Sequence, residues 1–384
     1  MIELEYQLKF TTPAFLGNAE QNGQWRTPPI KALLRQWWRV AYAAEHGFAM
    51  RVDDMRHEEG LLFGHAWLED DTFPRDGKAV TTAARKSAVR IRLSSWAAGK
   101  LANWNGLDTT KVTHPEVKSP VGSQLYLGYG PLKFANSTAM KGNAAIQSGE
   151  HATLSLAVPN EHAAHIEHAL TLMNHYGTLG GRSRNGWGSF VLTPQGNTPA
   201  LGGDIPLRSW KEALALDWPH AIGTDGEGCP LIWQTTPHDT WEALMKTLAI
   251  VKIGLRTQFV FPNVAPPHPH ALPRHWLSYP ITKHTTRAFD RNARLPNTLR
   301  FKVRPAPGNP KQVVGVIVHV PCLPPHDFNP QQNVILPMWQ SVHTLLDELA
   351  KPANTRGYAS VTDAARRIAL KPQLDIVTLK RIPE

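Results

Sequence analysis

The stretch from 161 to 193 limits this chain more than any other. A run with helical spacing, 161–176, passes through Gly177-Thr-Leu-Gly-Gly-Arg-Ser-Arg-Asn-Gly-Trp-Gly-Ser-Phe190 into a strand-like piece, Ser189–Thr193. Five glycines in this loop let the backbone reverse tightly and approach a neighbour or a ligand closely. Arg182 and Arg184 add permanently charged, forked donors suited to phosphate oxygens. A fold that holds this stretch must join a helix to a strand through a tight loop with room for an anion.

The rest of the chain supplies the remaining elements. Residues 4–10 read as a strand. Thr27 is expected to cap a helix, with Pro28 in its first turn and Gly47 ending it. A second helical segment spans 53–69. In 86–96, Val89, Ile91 and Leu93 alternate with Lys86, Arg90 and Arg92, which predicts a strand with one apolar and one basic face. Residues 99–149, rich in Gly, Asn, Ser and Thr, read as a long, partly irregular insertion. Residues 151–158 alternate as a strand, and Asn160 is placed to cap the helix of 161–176. Without insertions this order is βαββαβ, the ferredoxin-like plan.

A Pro/Gly stretch at 194–206 reads as a linker, and beyond it a similar order begins again. A strand is expected at 230–234 and a helix at 239–256, with Asp239 and Glu242 as its capping box. Strands follow at 298–304 and 312–320, then a long helix at 333–350. In 298–304, Leu299, Phe301 and Val303 alternate with Arg300, Lys302 and Arg304, repeating the basic strand of the first half. The expected class is α+β: two ferredoxin-like (RRM-like) domains with insertions, at 1–200 and 206–384, the second with a helical tail. The Pro/His-rich piece 261–275 reads as a loop.

Lys and Arg number 41 against 31 Asp and Glu, a net charge of +10 that favours a polyanionic partner such as nucleic acid. No window approaches the ~18 consecutive apolar residues of a membrane span, so no membrane partner is expected. The first ten residues lack the basic start and apolar core of a signal peptide. Two cysteines, Cys229 and Cys322, are too few for a disulfide framework or a cysteine-rich zinc site, and suit a reducing cytoplasm.

On the helix of 29–46, Ile30, Leu33, Leu34, Trp37, Ala41 and Ala44 fall on one apolar stripe. Lys31, Arg35, Trp38, Arg39 and Tyr42 fall on the opposite side. Cations interleaved with aromatic rings suit single-stranded nucleic acid, in which charges follow phosphates and rings stack on bases. The alternative is a solvated basic face, with Trp38 and Tyr42 buried by a neighbouring insertion.

Nothing demands catalysis. His162, His165 and His168 recur on one helix, but no acidic or cysteine ligand completes a metal set, and a solvated face accounts for them. His268, His270 and His275 lie among prolines, as in a mobile loop. Adjacent carboxylates (Asp53–Asp54, Glu58–Glu59, Asp70–Asp71) do not face each other on a helix. The glycine loop lacks the Gly-Lys-Ser/Thr ending of a P-loop, and it follows a helix where a dinucleotide fingerprint follows a strand. A ribonuclease alternative would need a general base near the loop, such as His175.

The loop Leu179-Gly-Gly-Arg-Ser-Arg-Asn-Gly-Trp-Gly-Ser189 resembles the signature of the RAMP superfamily of CRISPR proteins. Three further stretches, Thr12–Gly17, Arg26–Arg39 and Glu58–Gly64, are similar in this order to the family of the first subunit of the type III-B Cmr effector complex. Ser278–Ile281 and Ala293–Leu299 match that family's second domain more loosely, and the departure at Arg294 leaves its role open. The resemblance implies two RAMP domains, no cofactor and no catalytic activity. It also implies guide and target RNA and other effector subunits as partners. The RNA contacts it implies are Lys31, Arg35, Trp38, Arg39, Arg182, Ser183, Arg184 and Asn185. Gly180, Gly181, Gly186 and Gly188 would shape the loop. Arg256, after the second domain's first helix, is a further implied contact, or else an arginine placed against a helix-end dipole.

Overall fold

The computed structural model describes residues 1–66, 71–81 and 84–382. Its first half runs β1 (Ile2–Phe10), α1 (Thr27–Glu45), α2 (Val52–Phe63), β2 (Arg90–Leu93), α3 (Ser123–Gly128), a hairpin of β3 (Leu132–Ala135) and β4 (Ser137–Met140), β5 (His151–Val158), α4 (Ala163–Tyr176) and β6 (Phe190–Pro194). The sheet order is β6-β1-β5-β2, all antiparallel, with Tyr6 opposite Leu154 and Leu154 opposite Leu93. This is the ferredoxin-like order. Alternation explains it: Leu4, Tyr6, Leu8 and Phe10 of β1 are buried with Ala152, Leu154, Leu156 and Val158 of β5. α1 and α4 cover that apolar face.

The second half repeats the plan with β7 (Ile232–Thr235), α5 (Trp241–Thr257), β8 (Leu299–Ala306), β9 (Asn309–His319), α6 (Gln332–Ala350), α7 (Ala364–Leu374) and β10 (Leu379–Arg381). The order β8-β9-β7-β10 is again ferredoxin-like. The closing strand, three residues long, had no sequence signal; it forms because β7 offers a free edge and Leu379 finds the core.

Capping departs from expectation in detail. Arg26, not Thr27, is the N-cap of α1. Gly47, at φ 58°, ends the helix as expected. Asn160 opens a turn of 3₁₀ helix rather than capping α4 directly. The cap of α5 is Thr240, whose hydroxyl accepts from the Ala243 N–H at 3.2 Å. Asp239, one residue earlier, accepts instead from Gln312. α2 ends at Gly64, and the expected extension to 67–69, with Asp70, lies outside the described residues.

The two units stack as sheet, helices, sheet, helices. Val316 and Val318 of β9 pack into the same apolar cluster as α1 and α4, while Ile317 points the other way, to α5 and α6. This stacking overturns the expected basic face of β8. Arg300 and Lys302 are 6% and 0% exposed. The Lys302 ammonium donates to the carbonyls of Gly177 (2.8 Å) and Met173 (3.3 Å), which end α4, and lies 4.3 Å from the Phe190 ring. Arg300 lies 5.0 Å from the Trp37 ring of α1. A helix C-terminus carries partial negative charge, so a buried cation is stabilised there. The basic residues of β8 join the two units; only those of β2, Arg90 and Arg92, stay exposed.

Candidate nucleic-acid interface

The glycine loop closes on itself and on the segment after β1. The Leu179 N–H donates to the Gly188 carbonyl at 2.9 Å, and the Gly188 N–H donates to Pro13 at 2.8 Å. Gly188 has φ 65°, and a Cβ there would stand 1.8 Å from the Leu179 carbonyl oxygen, so no other residue fits. Gly181 donates to Phe15 at 2.9 Å, and Gly180 packs against the same carbonyl. Trp187 is fully buried against Phe15, Trp104 and Trp241. Much of the glycine content therefore turns the chain and seats it.

The far side of the loop meets the second unit. The Arg184 carbonyl accepts from Phe301 N–H (3.1 Å), and the Ser189 hydroxyl accepts from Val303 N–H (2.8 Å). The Arg184 guanidinium donates to the Asn297 carbonyl at 2.6 Å. Asn185 is buried; its amide donates to Leu127 at 2.7 Å, and its side-chain oxygen accepts from the Lys252 ammonium. Ser183, half-buried, turns the loop through its carbonyl, which accepts from Gly186.

Arg182, Arg184 and Asn185 of the loop thus gather with Arg256, distant in sequence, where the units join. Arg184, Lys252 and Arg256 line one narrow cleft with Asn297. Arg182 is exposed beside them, its guanidinium 3.2 Å from where a Cβ on Gly130 would stand. Among the described residues no carboxylate pairs with any of these four cations. Burial, then the charges of Arg256 and Arg182, push the Lys252 ammonium well below its ordinary value. The Arg256 Nε has no hydrogen-bond partner among the described residues. Lys252 escaped the sequence reading, although its place one turn before Arg256 on α5 was a usable signal.

The α1 group is separate and differs from expectation. Trp38 is 2% exposed, packed on Phe63 of α2 and on Tyr42, so its ring offers no face to a base. The insertion buries it, as the alternative had it. Arg35 and Arg39 both bind the buried Glu59 carboxylate, at 2.7 and 2.9 Å. Two guanidinium groups share one carboxylate and remain more than a third exposed, so a net positive charge faces out. Lys31 has no partner among the described residues, and burial followed by the Arg35 charge lowers its pKa. Arg35, Arg39 and Arg56 line a groove of about 500 Å³ that reaches Asp217 and Trp218. Asp217 also borders a cavity of about 120 Å³ lined by Arg184, Thr298, Cys322 and Trp339.

Comparison with known proteins finds a match for the first unit. Residues 7–191 match the family model of the RAMP superfamily. The match covers the first unit from β1 into β6, glycine loop included. Of solved structures, Cmr1 from Pyrococcus furiosus (apo form) is similar over 83% of this chain and 88% of its own, at 14% identity and TM-score 0.39. A type IV-B CRISPR complex chain is similar over 56% of this chain and 100% of its own, at 15% identity and TM-score 0.29. No curated protein sequence matches significantly.

The histidines fall apart as candidates. Among the described residues no three His, Cys, Asp or Glu side chains could hold a metal ion. His165 pairs with Glu45, and His168 with the Asp204 carbonyl. The 261–275 piece is a loop up to Leu272, exposed over 262–267, but it holds two buried histidines, His268 and His275; His268 stacks with Phe261 and His284, while His270 is exposed. His175 faces Arg304 at 3.4 Å, and burial with that charge lowers it to about 4. Both cysteines are free. No helix among the described residues is long and apolar enough to cross a membrane.

Proposed function

We propose that the chain is a non-catalytic, RNA-binding subunit of a cytoplasmic CRISPR effector complex of the type III-B, Cmr kind. It holds the backbone of guide RNA, and of target RNA paired to it, on the cations at the joint of the two units. The observation that carries this is the gathering of Arg182, Arg184, Lys252 and Arg256 without a carboxylate partner among the described residues. Like charges brought together cost stability unless an anion completes them, and phosphates are the anions that forked guanidinium groups fit best. The match of residues 7–191 to the RAMP superfamily supports the same conclusion, and the net charge of +10 agrees with it. The groove of Arg35, Arg39 and Arg56, with Lys31 on the same helix as the first two, is a second, weaker stretch of the same track, since Glu59 already takes part of its charge.

The test is RNA affinity against salt. Each lost phosphate contact on a single strand lowers the slope of log K against log salt by about 0.7. Arg182→Ala and Arg256→Ala should each reduce affinity and flatten the slope by that amount, without RNA cleavage in wild type or variants. Unchanged affinity and slope would remove the proposed track. Metal-independent cleavage of repeat RNA, lost in His175→Ala, would instead make the chain a processing ribonuclease.

A further inference from the structure

Beside Arg182 stands a feature that the RNA track alone does not use. The insertion between β2 and β5 raises the β3–β4 hairpin, whose turn residue Asn136 adopts φ 62°. The root of the hairpin is fixed. Leu132 is 0% exposed, Met140 packs on the main core, and the Thr138 hydroxyl donates to Asp108 at 2.7 Å. The tip is different. Phe134 lies opposite Thr138, on the face shared with buried Leu132, yet is 71% exposed. Tyr129, which ends α3 and bridges to Leu132, is 59% exposed. Large exposed aromatics on a rigid support are costly to leave in water unless they meet a partner.

The surroundings indicate which partner. Lys133 and Lys141 are exposed and have no ion-pair partner among the described residues, but they fall on the hairpin face opposite to Phe134. Arg182 crosses Gly130 between Tyr129 and the hairpin root. The carboxylate nearest in the hydrogen-bond network, Asp108, is already engaged by Gln124, Leu125 and Thr138. Exposed rings beside an unpaired guanidinium match single-stranded RNA better than a protein surface, which would bring acidic groups or a larger apolar face.

We infer that Tyr129 and Phe134 form a stacking platform for unpaired RNA bases whose phosphates run along Arg182. This rests on the RNA-binding function proposed above and adds to it a preference for unpaired over duplex RNA at this end of the track.

Fluorescence anisotropy with a labelled oligouridylate of about 15 nucleotides, and with an RNA duplex of similar length, tests it. Phe134→Ala and Tyr129→Ala should each weaken single-strand binding by about 5- to 150-fold, the range for loss of one base–aromatic stack. The salt slope and the duplex affinity should not change, and Phe134→Trp should restore binding. Both positions are exposed, so an unchanged melting temperature confirms the fold in each variant. If both alanine variants bind as wild type while Arg182→Ala is weakened, the platform is refuted and the phosphate track stands. If Arg182→Ala, Arg256→Ala and the hairpin variants all bind as wild type, both fall. Hairpin variants that bind RNA normally but no longer co-purify with neighbouring effector subunits would make the hairpin a protein contact, and overturn the inference.

Discussion

Lys252 is the residue on which the charge balance of the joint turns. Its ammonium is buried, with one neutral partner, Asn185, and two cationic neighbours; burial first, then those charges, make the folded protein hold its proton less tightly than an exposed lysine does. A phosphate arriving at Arg182 and Arg256 favours the charged form and raises that pKa. Binding then takes up a proton, and the direction follows: RNA affinity falls as pH rises from the depressed pKa toward the ordinary lysine range. Lys252→Met should lower affinity at about pH 7 and remove most of the pH dependence. Proton uptake measured by calorimetry in two buffers of different ionisation enthalpy checks it. Trp38 teaches the opposite lesson at the same scale. Its place among cations on a helix suggested stacking, but a side chain 2% exposed contributes packing only.

Among the elements, the glycine loop separates turning from binding. Gly188 has φ 65° and no space for a Cβ; Gly181 has an ordinary φ and its nearest contact is the Pro131 ring at 3.2 Å. Gly188→Ala should therefore cost more than about 3 kcal/mol, because both backbone strain and a clash with Leu179 must be relieved. Gly181→Ala should cost less than about 1 kcal/mol. Urea denaturation of the two variants checks the order. The loop was legible in the sequence as a sharp turn with two arginines. That Gly186 would face Leu248 and Met245 of α5 was not, since it depends on which surface the loop is pressed against.

For the whole molecule, the second sheet is covered on one side by the first unit's helices, so the halves share a core. Several histidines are caught in such interior positions. Burial, first among the causes, lowers His114, His175 and His275 to about 4 and His343 to about 3. The unfolded chain binds protons at these sites near pH 6.5, whereas the folded one does not. Stability is thus full above that pH and is lost as pH falls toward the folded values. Each group should cost about 1.4 kcal/mol between about pH 7.5 and about pH 5.5. Urea midpoints at the two pH values measure the sum, and His343→Gln should reduce the fall by about one share. One calorimetric transition, rather than two, is expected from the shared core.

The sequence by itself determined most of the elements and their order, though not the closing strand or the β3–β4 hairpin. Period-two alternation in 4–10, 151–158 and 298–304, and period 3.6 in 29–46, follow from which side chains water rejects, and that is local information. It also marked Arg182, Arg184 and Arg256 as cations, without showing that they meet. Which cations remain free was decided only by the tertiary structure. Lys302 and Arg300 read the same as Arg90 and Arg92 along a strand, yet the first pair is sealed under α4 and α1 and the second faces water. Likewise Arg35 and Arg39 share Glu59 while Arg182 has no such partner. The physical reason is that burial and pairing depend on the neighbour across the interface, and no residue carries that neighbour in its own stretch of chain.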